Sequence, residues 1–573
     1  MKKIFFSIVC ISTLLLSACS DFLEETPKDS LPPAEGYFTS TIKIEGAVNN
    51  LYRRGPNSWT SPGVYDGNRL MQGGWGAGLF DNLDYRGQEI YIQNAQEFTM
   101  TENNMGNRMN SLYEDPYISI SRANEILNVL PNINKEAVGI SDANYNKFIA
   151  EARFFRAQNY FWLVKHWGDV TLVMKPQVAQ DDLFLPRTSA KTIYDEVIVP
   201  DLQEAVNVLS KDASQYGNSM RITASVASAY LTDVYVQMAG YPLQDASKWA
   251  LAAAEAKKFL PGGAYASLYE FETHEDFGEL SAYNKLRNVG VQAAPPPGKV
   301  TTSSKEFIYV NEHNTSLGHG AGFSANAWPV AVAALGTSES KIALTNNAYR
   351  PLPRRLAVYD ATVDLRMKEK QFFATTFIKM DGSEMELPAN NLPCPYFFYD
   401  YGQVKNENIS NRHFPIYRLA EMYLFAAEAI AQAEGVTAQA VDALATIRAR
   451  AYVYGAGDIT KQNDVKTALV NELSALSKDA FIQEVWLERY RELVFEFKDW
   501  NLIQRTRLYP KTNPMDTSIP VGTAQFVDFT TVGTDHSGTK LFTPDYLLWP
   551  LPLQQIQRNP NLVQNPGYSV TQL

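Results

Sequence analysis

Residues 145–169 read YNKFIAEARFFRAQNYFWLVKHWGD, and their spacing sets the fold class. Tyr145, Phe148, Ala152 and Phe155 fall at intervals of 3, 4 and 3. Phe154, Ala157, Phe161 and Val164 repeat those intervals as a second stripe. Two apolar stripes at helical period predict a helix buried around much of its circumference. Gly168 is placed to end it. Residues 222–260 repeat the theme as a pair. Ala224, Ala227, Leu231, Val234 and Met238 form one stripe, and Trp249, Ala252, Ala256 and Phe259 form another. Gly240, Tyr241 and Pro242 break the chain between them. Small residues alternating with large ones on two joined helices predict a tetratricopeptide-like hairpin. Residues 117–130, 190–210, 416–434 and 438–452 are further helix candidates.

Other stretches carry no such period. Residues 55–90 and 262–345 are rich in Gly, Pro, Asn and aromatic residues. FFATTFIKMDGSEMELP (372–388) predicts a hairpin turning at Asp381-Gly382, and KEFIYV (305–310) predicts a short strand. The expected architecture is mostly α: a scaffold of helical hairpins with a loop-rich face carrying short β-hairpins.

The N-terminus reads as an export signal. Lys2 and Lys3 precede an apolar run from Ile4 to Leu16. A spanning helix needs about 20 apolar residues, so this run is too short to cross a bilayer comfortably. Leu16-Ser17-Ala18-Cys19 then resembles a bacterial lipoprotein cleavage site. Residues 1–18 are expected to be removed and Cys19 acylated. The polar, proline-bearing residues 19–35 would form a flexible tether, and residues 36–573 a single domain. Cys10 lies in the signal, which leaves Cys394 without a cysteine to pair with inside the domain. Cys394 is expected to fill space in the core. The chain is acidic, with a formal net charge of −11. Nucleic-acid binding needs a basic surface, so it is excluded.

Several motifs together resemble the SusD/RagB family of outer-membrane lipoproteins. EARFFRAQNYFWLVKHWGDVTL (151–172) is similar to that family's aromatic helix and WGD turn. PIYRLAEMYLFAAEAIAQ (415–432) carries Arg418, Ala420, Glu421, Tyr423 and Leu424 in the family's pattern, and ALATIRARA (443–451) resembles the next helix. VWLERYRELVFEFKDWNLIQR (485–505) resembles another helix, with Asn501 where the family usually has Asp. The closing YLLWPLPLQQIQRNPNLVQNPGY (546–568) completes the set. The resemblance implies a lipid-anchored protein on the outer membrane, facing the cell exterior. It implies capture of oligosaccharides, ahead of peptides, and their delivery to a SusC-type TonB-dependent transporter.

Sugar capture calls for aromatic faces and planar hydrogen-bonding groups. In the loops, Trp75, Trp328, Asn68, Arg69, Asp81 and Tyr283 are the ligand-binding candidates. No cofactor, metal site or catalytic residue is expected. His313 and His319 are six apart, which is not helical zinc spacing, and a solvated or loop-capping role is expected for them. Glu488 and Glu492 lie one turn apart beside Arg489 and Arg491, so ion pairing is expected ahead of a glycosidase pair. Trp486, Tyr490, Leu493, Phe497 and Trp500 predict one continuous core-facing helix there. The competing readings are a lipid-anchored glycan hydrolase and a helical-repeat adaptor that binds proteins.

Overall fold

The computed structural model describes residues 34–52, 83–84, 101, 106–176, 184–216, 221–289, 303–313, 350–379, 381–387, 393–401, 411–496, 498–532 and 543–568. Helices dominate. They are α1 (Thr41–Leu51), α2 (Gly106–Val129), α3 (Asp142–Trp167), α4 (Val199–Val208), α5 (Ala224–Ala239) and α6 (Lys248–Lys257). After β1 (Phe307–Asn311), β2 (Thr376–Ile378), β3 (Glu384–Glu386) and β4 (Phe414–Arg418) come α7 (Leu419–Glu434), α8 (Ala438–Tyr452), α9 (Gln462–Ser474), α10 (Lys478–Glu492) and α11 (Asp499–Thr506).

From α2 to α9 each scaffold helix packs against the next, and α10 returns onto α7. This is the expected stack of helical hairpins. The aromatic helix α3 is buried over most of its length, with Phe154, Phe155, Tyr160 and Trp167 fully inside. Truncating one such ring to alanine costs about 3–5 kcal/mol. Ser141 caps the start of α3 by accepting from the Asn144 amide, and Gly168 ends it at φ 71°, a conformation open to glycine. In the α5–α6 hairpin, Ala227, Ala252 and Ala256 are buried at the seam, and their small side chains let the helices approach closely. A Cβ on Gly240 would stand 2.6 Å from the carbonyl oxygen of Arg505, so the link between α5 and α6 needs glycine there.

The predicted hairpin is present: β2 and β3 pair antiparallel, Thr376 opposite Glu386, and Gly382 takes φ 84° in the turn. Cys394 is buried in a small cluster with Phe377, Tyr396 and Tyr399. The predicted strand becomes β1, which pairs with β4 through an irregular register between Pro415 and Arg418.

One element departs from the sequence reading. The continuous helix expected over 485–505 is two helices, α10 and α11, separated at Leu493–Lys498. Phe495 there adopts φ 67°. The break frees C-terminal carbonyls of α10 for other donors. Arg418 Nη2 donates to the Glu492 carbonyl at 2.6 Å, and the Tyr359 hydroxyl donates to the Arg491 carbonyl at 2.9 Å. Trp486 is only half-buried, whereas Tyr490 and Trp500 lie in the core.

Candidate functional site

Two polar regions meet at β1. The first is a buried ion network. Glu492 Oε1 accepts from Arg418 Nη1 (2.8 Å) and Arg450 Nη2 (2.6 Å), and its Oε2 accepts from Arg366 Nη1 (2.9 Å). Glu488 accepts from Arg366, Arg448 and Arg491 at 2.8–3.0 Å. Asp364 holds the other edge of Arg366 at 2.7 Å. The three motif stretches at 415–432, 443–451 and 485–505 therefore supply one cluster. Burial alone would raise the carboxyls of Glu488 and Glu492, but the surrounding guanidinium groups overcome it and hold both below the usual carboxylate range. Glu496 differs. Burial outweighs its single bond to Arg418 Nε (2.7 Å) and pushes it up to about 7. Glu488 and Glu492 are fully enclosed and cannot flank a sugar bond across a cleft.

Glu306 joins this network to β1 and was missed by the sequence reading. Its carboxylate accepts from Arg450 Nη1 (2.6 Å), Arg418 Nη1 (3.0 Å) and the Glu272 amide (3.1 Å). Its carbonyl accepts from the Leu419 amide at 2.8 Å. A two-stranded ribbon is marginal alone, and a bulge weakens its ladder. The charged pin at Glu306 thus fixes where β1 sits. The arginine partners lie more than 100 residues away in sequence, so no local pattern marks this residue.

The second region is an open groove of about 810 Å³, walled by β1. Phe307, Tyr309 and Tyr269 contribute half-buried aromatic surface, while Lys211, Asp212 and Glu312 stand exposed along it. Arg221 closes part of the wall. Its guanidinium donates to Glu45 (2.8 Å), Asn49 (2.9 Å) and the buried Glu151 (3.2 Å), which locks α1 and α3 to the start of α5. Burial pushes the Glu151 carboxyl up to about 7 against the pull of Arg221. Rings beside hydrogen-bonding groups of both signs suit a neutral, hydroxyl-rich ligand. Among the described residues, no group of three or more His, Cys, Asp or Glu could hold a metal ion.

Comparison with known proteins gives this pairing of scaffold and groove a family. A model of the SusD family matches residues 389–568, and a second, described as starch-binding associating with outer membrane, matches residues 21–236. The chain belongs to the SusD/RagB family. The SusD-like protein P2 of Formosa agariphila is 26% identical over 576 residues, spanning 99% of this chain and 100% of its own. A SusD superfamily protein from Parabacteroides distasonis shares the fold with a TM-score of 0.72 at 24% identity, over 92% of this chain and 99% of its own. Surface glycan-binding protein A from Bacteroides thetaiotaomicron, solved in complex with laminarihexaose, aligns with a TM-score of 0.62 at 16% identity, over 92% of this chain and 100% of its own. SusD/RagB members are non-catalytic binding proteins.

Of the residues singled out from the sequence of this SusD/RagB chain, Cys19, Asn68, Arg69, Trp75, Asp81 and Trp328 lie outside the described residues. Tyr283 lies within them and is buried, its ring edge-on to Phe372 and under the Arg450 guanidinium, its hydroxyl 3.3 Å from Glu492. The structure places it against the network rather than in the groove, because its position on a short buried helix (Ala282–Arg287) turns the ring inward. His313 is buried too, so the expected solvated role does not hold for it, and His319 lies outside the described residues.

Proposed function

We propose that this protein is a surface glycan-binding lipoprotein that captures neutral oligosaccharides in the groove beside β1. The observation that carries the reading is the groove itself: aromatic surface and hydrogen-bonding groups of both signs, on a strand pinned to a rigid scaffold. The SusD/RagB fold supports it, as does the laminarihexaose complex of a structural neighbour. In this reading Cys19 carries the lipid and residues 19–35 form the tether, at the outer membrane named in the family description. Residues 36–573 act as one domain, and Trp75, Trp328, Asn68, Arg69 and Asp81 add ligand contacts from the loops. The bound glycan passes to a SusC-type TonB-dependent transporter. Among the described residues no helix is long and apolar enough to cross a membrane, which fits attachment by lipid.

Calorimetric titration of the full-length protein with laminarihexaose, maltohexaose and a mixed peptide pool tests this. Saturable heat with an oligosaccharide is expected, weakened about tenfold by Tyr309→Ala, the scale of one lost aromatic platform. Trp75→Ala should weaken binding while leaving the melting temperature nearly unchanged. Binding of peptides alone, or unchanged affinity in both variants, would overturn the reading.

A further inference from the structure

A second cavity, of about 320 Å³, shares no lining residue with the groove. It is built where the WGD turn that ends α3 meets the link after α5, the end of α11 and the C-terminal segment. Two of the stretches that mark the family, 151–172 and 546–568, thus meet in a cavity for which the groove reading has no use.

Its charges do not balance. Lys165, Arg187 and Arg507 line it, against one lining carboxylate, Asp169. Lys165 has Asp233 at 3.5 Å. Arg187 donates to the carbonyls of Asp169, Trp167 and Val563 and to Asn565, and the charge of Asp169 acts on it. Arg507 has no ion pair among the described residues. Its guanidinium lies over the Tyr241 ring at 5.2 Å, and its Nη1 is buried without a hydrogen-bond partner there. Burial lowers its pKa, and no carboxylate counteracts that. Gln237 and Gln504 also line the cavity, and each keeps a buried Oε1 without a partner among the described residues. Gln504 Nε2 donates to the carbonyls of Lys165 and Leu547, which fixes the orientation of that amide. Pro242, Leu243, Leu548 and Pro566 supply apolar wall.

A half-buried cation without a counter-charge is costly, and in a chain of net charge −11 it is also out of keeping with its surroundings. A single carboxylate would balance it, whereas a dianion would leave excess negative charge beside Asp169. The volume suits a ligand about one sugar ring in size, whose C–H face can lie on the apolar wall. We propose that this cavity binds a small acidic sugar through its carboxylate, held by Arg507, at a site separate from the groove.

The test is titration of the full-length protein with D-glucuronate and, in parallel, D-glucose. Saturable binding of glucuronate alone is expected. It should weaken roughly tenfold or more in Arg507→Gln, as for loss of a charge-assisted hydrogen bond, and persist in Arg507→Lys and Tyr309→Ala. Equal binding of the two sugars, no binding of either, or equal affinity in native protein and Arg507→Gln would overturn the proposal. If Arg507→Gln does not fold, native crystals soaked in glucuronate decide. Density with its carboxylate on Arg507 supports the site; density only in the groove, or none, removes it. Because Tyr309 does not line this cavity, failure of the groove reading and failure of this one are told apart.

Discussion

The ion network and the groove are built from the same residue types and put them to opposite uses. In the network, Arg366, Arg418, Arg450, Glu488 and Glu492 are enclosed, and Glu488 and Glu492 each face three guanidinium groups. In the groove, Lys211, Asp212 and Glu312 stand exposed to solvent beside aromatic surface. The difference teaches that the motifs by which the chain is recognised hold the molecule together, while the residues that line the groove belong to none of them. β1 is the joint between the two, pinned by Glu306 on one side and open to the groove on the other.

The comparison breaks most sharply at Glu492. Glu492→Ala leaves Arg366, Arg418 and Arg450 buried around a missing carboxylate, and should cost about 3–5 kcal/mol in denaturant unfolding. A loss below about 1 kcal/mol, the scale of a surface pair, would show that the network is not the scaffold's lock.

Acid attacks the same region through His274. Its Nδ1 accepts from the Ala282 amide at 3.0 Å, so the neutral ring carries its proton on Nε2 and donates to the Arg450 carbonyl at 2.8 Å. Burial, with the nearby Arg450 charge, lowers its pKa to about 4. Between pH 6.5 and about 4 the unfolded chain takes up this proton and the folded chain does not, so stability falls as pH falls through that window. His274→Gln should flatten the acid side of the stability profile by up to about 3 kcal/mol. An unchanged slope would mean that the ring is already protonated in the fold.

Glu306→Gln sharpens the comparison at the joint. It keeps the shape, removes the charge facing Arg418 and Arg450, and should cost about 1–3 kcal/mol. Amide exchange of residues 307–311 should speed up, and oligosaccharide affinity should fall in the native background but not further in Tyr309→Ala. Additive losses in the double variant would make Glu306 a scaffold residue with no hold on the groove. The smallest effect belongs to the exposed pair of Lys191 and Asp195, one helical turn apart. Lys191→Ala should leave the melting temperature unchanged, because solvent screens such charges.

Periodicity made the scaffold readable: α3 and the α5–α6 hairpin lie where the apolar stripes put them, α8 fills the candidate stretch 438–452, and Asp381-Gly382 marked its hairpin. Ion pairing at Glu488 was legible in part, because Arg491 is its helix neighbour, whereas Arg489 donates to Glu421 and the arginines around Glu492 come from other elements. The break between α10 and α11 was not, because the apolar spacing runs straight through Leu493 and Trp500, while the donor that takes up the freed Glu492 carbonyl, Arg418, comes from another element. Tyr283 misled for a similar reason: a tyrosine in a polar stretch looks the same whether its ring faces a ligand or Phe372. Arg507 gave no signal at all, since a missing counter-ion can be noticed only once the neighbours are known.

The seam at the end of α3 ties early residues to late ones. The Trp549 amide donates to the His166 carbonyl at 2.7 Å, Trp167 Nε1 donates to the Pro550 carbonyl at 3.0 Å, and Asn565 Nδ2 donates to the Trp167 carbonyl at 3.0 Å. These contacts bridge nearly 400 residues of chain. The end of the central aromatic helix therefore cannot be closed until almost all of the chain is present. Completion of the chain is thereby coupled to maturity of the fold, and a product cut short near its end keeps the wet, unclosed seam by which proteolytic surveillance can recognise it.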